Sequence, residues 1–449
     1  MRKFPCEEKL WWVGLAILLV GTAGCSFFNP VPETVPVYHG SAEGGILQAG
    51  AAVVDITPET DLWLGGYDMM RTSDGVHDSL YARALVLRRG ELEIALVVVD
   101  LVGIQRQHIL EIQEDFAGLD PRHVVIASTH NHSGPDTLGL WGFPPFVSGI
   151  DSDYLSKVKA GILEALQLAR ASLRPAELGF GAIRAEAKGF LENLRRPGVV
   201  DREVVVLHVR EAGGGATIAT VTELGCHPEV MSRRNKEITA DFPHWTVSRL
   251  EKKLGGIGIY VSGALGGLVS PDVERSEPRD AAQEWAEAER VGNLLANYTL
   301  QVVTAIEHYD SGPEMAVWHA PLYLANRNHL YEVVRWTGLL DRDRYRWGYF
   351  LSEVNLWQIG DFRLATVPGE ITPDLGLRIK KNTGGRPTLL VGLANDELGY
   401  LLPESEYALP IYSYERGLCP GYDSADRIVR RLEDTALLMN TNREERTEN

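Results

Sequence analysis

Short apolar runs rich in β-branched residues alternate along this sequence with longer stretches in which apolar residues recur every three or four positions. The short runs predict buried strands, and the longer periodic stretches predict amphipathic helices. The predicted strands cover residues 51–56, 85–87, 92–100, 124–127, 177–183, 203–210, 219–224, 256–262, 315–323, 354–359, 362–367 and 389–394. The predicted helices cover residues 104–116, 153–171, 242–254, 281–309 and 373–381. This alternation predicts an α/β fold with mixed β-sheets flanked by α-helices.

Residues that can bind a metal follow three of the predicted strands. His130 and His132 come after one strand, and His227 comes after another. Residues two apart on an extended backbone share a face, so His130 and His132 could point into one cavity. One such pair is more typical of a solvated loop, and Glu370 alone would suit a helix amino terminus. Together the strand-end histidines and carboxylate indicate a shared metal, because zinc favours this donor set.

Composition limits the classes of function. With 449 residues, 45% of them hydrophobic, the chain can bury a core in one large domain or two ordinary ones. A formal net charge of −17 argues against nucleic-acid binding, which requires a basic face. The glycine-rich loop at residues 263–272 lacks the Gly-Lys-Ser/Thr ending of a phosphate loop. A disulfide between Cys226 and Cys419 is compatible with the sequence but is not required.

The amino terminus has the pattern of an export signal. Basic residues precede an apolar run at residues 10–20, which ends in Ala23-Gly24-Cys25. The run is short for a membrane span, and its ending resembles a bacterial lipobox. We therefore expect a signal peptide at residues 1–24 and a lipidated Cys25 that anchors an exported protein to a membrane surface, in the periplasm or outside the cell. A plain secretory signal or an uncleaved anchor is the alternative.

The rest of the chain divides into three predicted parts. Residues 25–45 contain several prolines and few large apolar residues, which is typical of an extended tether. Residues 46–440 form a single large catalytic domain. The polar residues 441–449 are expected to be disordered.

A set of motifs resembles the neutral ceramidases, zinc amidohydrolases that cut the amide bond of ceramide. The first is Thr129-His130-Asn131-His132-Ser133-Gly134-Pro135, which is similar to the Thr-His-Thr-His-Ser-Gly-Pro signature of that family. The other matches, in family order along the chain, are Gly75-Val76-His77, Leu80-Tyr81-Ala82-Arg83-Ala84, Cys226-His227-Pro228, Val269-Ser270-Pro271, Val367-Pro368-Gly369-Glu370 and Gly399-Tyr400. Several ordered matches are more specific than any one of them. The resemblance implies the catalytic α/β domain of that family.

The resemblance also implies a metal site. By motif position its zinc ligands are His130, His227, Glu370 and Tyr400, with His130 preferred to His132. A catalytic zinc leaves one position open for water and lowers the pKa of that water toward neutrality. The water can then attack an amide carbonyl.

The same resemblance implies catalytic side chains that stabilise the oxyanion or handle protons. We expect these to be His132, Arg195, Ser270 and Tyr414. Arg195 corresponds to the arginine of the family's Asn-Arg-Ser-Pro turn, and an alignment of this turn shifted by one residue is the alternative. Tyr414 matches a Tyr-Glu pair of the family, whereas the spacing from Tyr400 would favour Tyr412.

One loop departs from the family. Leu268 stands where the family has aspartate, and Asp272 where it has asparagine. The family enzymes also carry a β-sandwich domain that this sequence does not include, so ceramide in particular is not implied. We expect a zinc-dependent hydrolase of an N-acyl lipid or related amide. The alternatives are a surface lipoprotein that binds a ligand without turnover and a serine hydrolase using Ser270, which lacks the Gly-x-Ser-x-Gly elbow.

Overall fold

The computed structural model describes residues 35–42, 44–59, 61–143, 147–274, 280–331, 345–346 and 348–447. The predicted signal peptide and Cys25 lie outside the described residues, so the export and lipidation of this chain stay predictions. In the described part of the chain, no helix is both long enough and apolar enough to span a bilayer.

The described strands and helices follow one another in the alternation that the sequence predicts. The strands are β1 (Tyr38–Ser41), β2 (Gln48–Asp55), β3 (Gly75–Val76), β4 (Tyr81–Arg89), β5 (Leu92–Val99), β6 (Val124–Ser128), β7 (Arg174–Arg184), β8 (Leu191–Asn193), β9 (Glu203–Glu211), β10 (Thr217–Leu224), β11 (Glu237–Ile238), β12 (Ile257–Ser262), β13 (Val269–Pro271), β14 (Met315–Ala325), β15 (Tyr345–Arg346), β16 (Tyr349–Ile359), β17 (Phe362–Thr366), β18 (Glu370–Ile371), β19 (Thr388–Val391) and β20 (Tyr400–Leu401). The helices are α1 (Arg106–Asp115), α2 (Ser152–Ala171), α3 (Phe242–Leu254), α4 (Ala281–Ala305), α5 (Pro373–Asn382), α6 (Ser413–Gly417) and α7 (Ser424–Thr447).

Two mixed sheets form the centre of the fold. The larger has the strand order β12-β10-β9-β7-β2-β4-β5-β6, and the second has the order β1-β14-β16-β17-β19 with β15 beside β16. Parallel pairs occur between β5 and β6, β10 and β12, and β17 and β19, while the other pairs in these sheets are antiparallel. The predicted α/β fold with mixed sheets is confirmed.

Several strands of the larger sheet, among them β4, β5 and β10, are buried on both faces. In β5, Leu96 and Val98 point toward the second sheet, whereas Val97 and Val99 point toward the helices. A strand that is covered on both sides shows a continuous apolar run, which is why the sequence of β5 does not alternate. Helices α1 to α4 cover the outer face of the larger sheet, and α5 and α7 cover the outer face of the second. The result is a helix–sheet–sheet–helix arrangement.

Both ends of the predicted catalytic domain need correction. Residues 38–41, inside the predicted tether at 25–45, form β1, which pairs antiparallel with β14 and completes an edge of the second sheet. The chain therefore joins the folded domain before residue 46. Helix α7, which the sequence reading missed, continues to Thr447 into the tail predicted to be disordered. Its buried residues Ile428, Leu432 and Ala436 recur every four positions, a helical signal that was present in the sequence.

Candidate active site

The predicted metal ligands come together where the two sheets meet at one end. His130 follows β6, His227 follows β10, and Glu370 begins β18 just after β17. Glu370 and Tyr400 face each other in the short parallel pair of β18 and β20, and both line the same cavity. Asn395 joins the two sheets here, because its side chain accepts the Ile126 N–H at 2.8 Å. The structure thus assembles residues separated by up to 270 positions, from 130 to 400, around one point.

Two of the histidines are oriented in the same way. His130 Nδ1 lies 2.7 Å from the Val102 carbonyl oxygen, and His227 Nδ1 lies 2.8 Å from that of Val269. A carbonyl oxygen can only accept, so each Nδ1 carries the proton and donates it. Each Nε2 then faces Glu370, at 3.6 Å from Oε1 for His130 and 3.0 Å from Oε2 for His227. Backbone carbonyls hold metal-binding histidines in this manner.

These distances fit a single small cation. Ligand atoms at about 2.0–2.1 Å from a tetrahedral ion lie roughly 3.4 Å apart. The two separations from Glu370, 3.6 and 3.0 Å, fall on either side of that value. His132 joins the group, since its ring centroid lies 4.8 Å from that of His130 and 5.6 Å from that of His227. The buried group of His130, His132 and His227 could hold a metal ion.

Burial and charge set the protonation of these groups. Burial lowers the pKa of His130 and, more strongly, of His132, so both rings are neutral near pH 7 and can offer a lone pair. Burial also opposes the charge of His227, but the hydrogen bond to Glu370 and the nearby Glu229 raise its pKa to about 9. His227 and Glu370 therefore form a buried ion pair. A divalent cation between them would replace the shared proton.

His130 and His132 line a cavity of about 500 Å³, whereas His227 does not border it. Much of the cavity wall is apolar. The apolar side chains that line it are Val102, Leu138, Leu140, Trp141, Leu268, Leu330 and Leu418. Trp141 belongs to the aromatic and proline-rich segment 141–146, whose residues 144–146 lie outside the described residues. A cavity with an apolar wall and a few convergent polar groups is typical of a small-molecule site.

Three of the predicted catalytic residues line this cavity, namely His132, Arg195 and Tyr414. Arg195 donates from Nε to Glu415 Oε1 at 2.5 Å, whereas Arg196 pairs with Glu406 and points elsewhere. The ring of Tyr414 lies 5.9 Å from that of Tyr400. The hydroxyl of the alternative, Tyr412, donates to Glu406 at 3.3 Å, and this residue does not border the cavity. Arg195 and Tyr414 thus border the cavity, whereas Arg196 and Tyr412 do not.

Ser270 takes a different position from the one expected. It is fully buried in β13, does not border the cavity, and donates its hydroxyl proton to Glu229. Glu229 does border the cavity, with Oε2 3.6 Å from His132 Nδ1. The side chain of Ser270 is therefore connected to the cavity through Glu229.

The sequence reading missed three residues of the site. Glu229 lies two positions after His227, so the strand-end motif could have indicated it. Arg71 donates to the carbonyl oxygens of His132 and Gly65 and so holds the loop that carries His132. Glu397 borders the cavity close enough to Glu370 for the two carboxyls to interact. No sequence motif marks Arg71 or Glu397.

Backbone strain also accumulates at the cavity. His130 and Leu268 both line it and have φ angles of 64° and 54°, in the left-handed region that few residues other than glycine adopt. Strained residues of this kind cluster at functional sites. Aspartate tolerates this conformation better than leucine does. Leucine at position 268 therefore adds backbone strain and also removes the negative charge that an aspartate would give this loop.

Comparison with solved structures identifies the fold. The fold matches the crystal structure of neutral ceramidase from Pseudomonas aeruginosa with a TM-score of 0.74 at 18% identity, over 89% of this chain and 75% of that one. A second structure, described as a ceramidase complexed with C2, gives a TM-score of 0.72 at 18% identity, over 88% and 76% of the two chains. The architecture is thus that of the neutral ceramidase structure.

Sequence comparison finds similarity to the same group of proteins. Residues 47–261 match the family model described as neutral/alkaline non-lysosomal ceramidase, N-terminal. Neutral ceramidase of Pseudomonas aeruginosa is 23% identical over 456 aligned residues, which cover 81% of this chain and 68% of that protein. Residues 47–261 are thus similar to the N-terminal region of the neutral/alkaline ceramidases, and the chain as a whole is distantly similar to the Pseudomonas enzyme.

Proposed function

We propose that this chain is a zinc-dependent hydrolase that cleaves the amide bond of an N-acyl lipid of the ceramide type. The observation that carries the proposal is the convergence of His130 and His227 on Glu370, which lines a largely apolar cavity together with His130. The relatives support it, since one is named neutral ceramidase and another structure is a ceramidase complexed with C2.

We assign the metal to His130, His227, Glu370 and Tyr400. His130 is preferred to His132 because its Nδ1 is anchored by a carbonyl, whereas Nδ1 of His132 has no hydrogen-bond partner in the described part of the chain. Two imidazole nitrogens with carboxylate and phenol oxygens form a donor set that suits zinc. Zinc bound there would polarise the amide carbonyl and lower the pKa of the attacking water.

The remaining polar residues act on the substrate. Arg195, held by Glu415, and Tyr414 donate hydrogen bonds to the oxygen on which negative charge develops. His132 and Glu229 exchange protons with the water and the leaving nitrogen. The apolar wall binds the acyl chain and excludes bulk water from the reacting amide.

One observation favours a second candidate, a protein that binds the ligand without turnover. Leu268 lines the cavity where the resemblance leads us to expect an aspartate. A serine hydrolase is disfavoured, because Ser270 does not border the cavity. Metal analysis of the purified protein, combined with hydrolysis assays on N-acyl-sphingosine and other N-acyl amines, separates these candidates. We expect one zinc per chain and turnover that stops on chelation. Zinc-free protein without turnover would support the binding protein.

Ser270→Ala tests the position of Ser270 behind Glu229. The change leaves a buried carboxylate oxygen of Glu229 without its donor, so we expect turnover to fall by about 10- to 100-fold, as for other residues that orient a site group. Zinc content should stay that of the parent, because Ser270 contacts no assigned ligand side chain. Steady-state kinetics and metal analysis measure both effects. Parent-like turnover would make Ser270 purely structural, and loss of zinc would contradict its assigned position.

A further inference from the structure

The ring of His132 is held differently from the rings of the other two histidines in the group. His130 and His227 each donate from Nδ1 to a backbone carbonyl, whereas Nδ1 of the buried His132 has no hydrogen-bond partner in the described part of the chain. The His132 ring is therefore oriented by what packs against it. Tyr67 packs against it edge to face, with ring centroids 4.9 Å apart and an interplanar angle of 90°.

Gly66 brings the backbone close enough for this contact. A Cβ atom at Gly66 would lie 2.4 Å from Cγ of His132 and 2.6 Å from its Cβ, which is closer than non-bonded carbon atoms approach. The φ angle of Gly66 is 94°, a value that residues with a side chain rarely adopt. Position 66 therefore requires glycine for two reasons, the backbone conformation and the adjacent His132 ring.

Tyr67 is itself fixed at both ends. Its hydroxyl donates to the carbonyl oxygen of Met231 at 2.7 Å, four positions after His227 in the sequence. Its own carbonyl oxygen accepts from Nε1 of Trp141 at 2.8 Å, and the guanidinium carbon of Arg71 lies 4.8 Å from the centre of its ring. A side chain that is held in this way can keep a neighbouring ring in one orientation.

The loop that carries Tyr67 is fastened to the loop that carries His132. The N–H of Gly65 donates to the carbonyl oxygen of Gly134 at 3.0 Å. The side chain of Arg71 donates to the carbonyl oxygens of both Gly65 and His132. These bonds join the two loops into one unit, so the fold sets the contact between the two rings before any ligand binds.

We propose that Tyr67 is a positioning residue whose ring, brought close by Gly66, fixes the orientation of the His132 ring and keeps its Nδ1 toward Glu229. In the structure His132 Nδ1 lies 3.6 Å from Glu229 Oε2. The expected effect on turnover rests on the proposed function, which assigns proton transfer to His132 and Glu229. The orientation of the ring does not depend on the reaction. A misplacement of about 1 Å in a group of this kind can lower the rate about 100-fold.

Gly66→Ala tests the contact, and Gly213→Ala is its matched control. Gly213 has a φ angle of 82°, and a Cβ atom there would meet nothing within 4 Å, so its substitution adds similar backbone strain without a clash. Gly66→Ala should shift the His132 ring signals in NMR spectra of protein with isotope-labelled histidine and lower kcat about 100-fold. Gly213→Ala should leave the signals and kcat at their parent values. The His132 signals are identified as those that His132→Asn removes.

Two substitutions of Tyr67 test the inference independently. Tyr67→Leu removes the ring, and it should shift the His132 signals and lower kcat about 100-fold, with KM within about twofold of the parent. Zinc content should not change, because His132 is not among the assigned ligands. Tyr67→Phe keeps the ring and loses only the hydrogen bond to Met231. It should therefore retain more of kcat and shift the signals less than Tyr67→Leu does.

Unshifted His132 signals in Gly66→Ala and Tyr67→Leu would overturn the inference. A higher KM at parent kcat in Tyr67→Leu would also overturn it and make Tyr67 a substrate contact. Equal losses in Gly66→Ala and Gly213→Ala would attribute the effect to backbone strain alone. If the parent cuts no amide, the proposed hydrolase function fails, whereas the His132 signals of the same variants still decide the role of Tyr67.

Discussion

His227→Ala should abolish zinc binding and lower kcat/KM by about a thousandfold or more. His227 is fully buried, its Nδ1 is fixed by Val269, and its Nε2 lies 3.0 Å from Glu370. The substitution removes one of the four ligands assigned to the proposed zinc ion. That ion would supply several kcal/mol of transition-state stabilisation. Metal analysis of the purified variant and steady-state kinetics on the best amide substrate measure the two effects.

A matched control separates loss of the site from loss of folding. His208 is also buried in the larger sheet, but its ring contacts Tyr309 and Thr217 and does not line the cavity. His208→Ala should therefore keep zinc and turnover, even if it loses some stability. If folded His227→Ala retains stoichiometric zinc, the ligand assignment is wrong.

Lys380→Met should lower the free energy of unfolding by about 3–5 kcal/mol. The Lys380 ammonium in α5 lies 2.6 Å from Asp201 Oδ2 and 2.8 Å from Glu223 Oε2, and all three side chains are almost completely buried. The substitution would leave two buried carboxylates without their cation. Chemical denaturation followed by circular dichroism measures the change.

This ion cluster also connects two parts of the active site. Helix α5 begins shortly after Glu370, and Glu223 lies in β10, the strand that leads to His227. We therefore expect Lys380→Met to weaken zinc binding as well as stability. Lys157→Met is the control, because Lys157 forms a 3.8 Å ion pair with the exposed Glu59, and such pairs contribute about 0–1 kcal/mol. Equal destabilisation by the two changes would contradict the importance of the buried cluster.

The long elements could be predicted because their signals are local. Helices α2 and α3 and strands β5 and β10 show an apolar period that depends only on nearby residues, and the structure confirms them within a few positions. The short strands β8, β13, β18 and β20 have two or three residues each. Strands of that length are stabilised by pairing with neighbouring strands rather than by the intrinsic β propensity of their residues, so no local sequence pattern predicts them.

The sequence by itself determined the α/β class, the histidines at strand ends, and the resemblance that selected His130, His227, Glu370 and Tyr400. Only the tertiary structure decided which side chains share the cavity. In that structure Ser270 binds Glu229 without lining the cavity, and Glu397 lies in the cavity wall. The physical reason is that strand-end residues are marked by an abrupt change from apolar to polar positions, whereas a contact between loops depends on how two separate sheets pack. That packing brings together residues from distant parts of the chain, and no local period in the sequence encodes it.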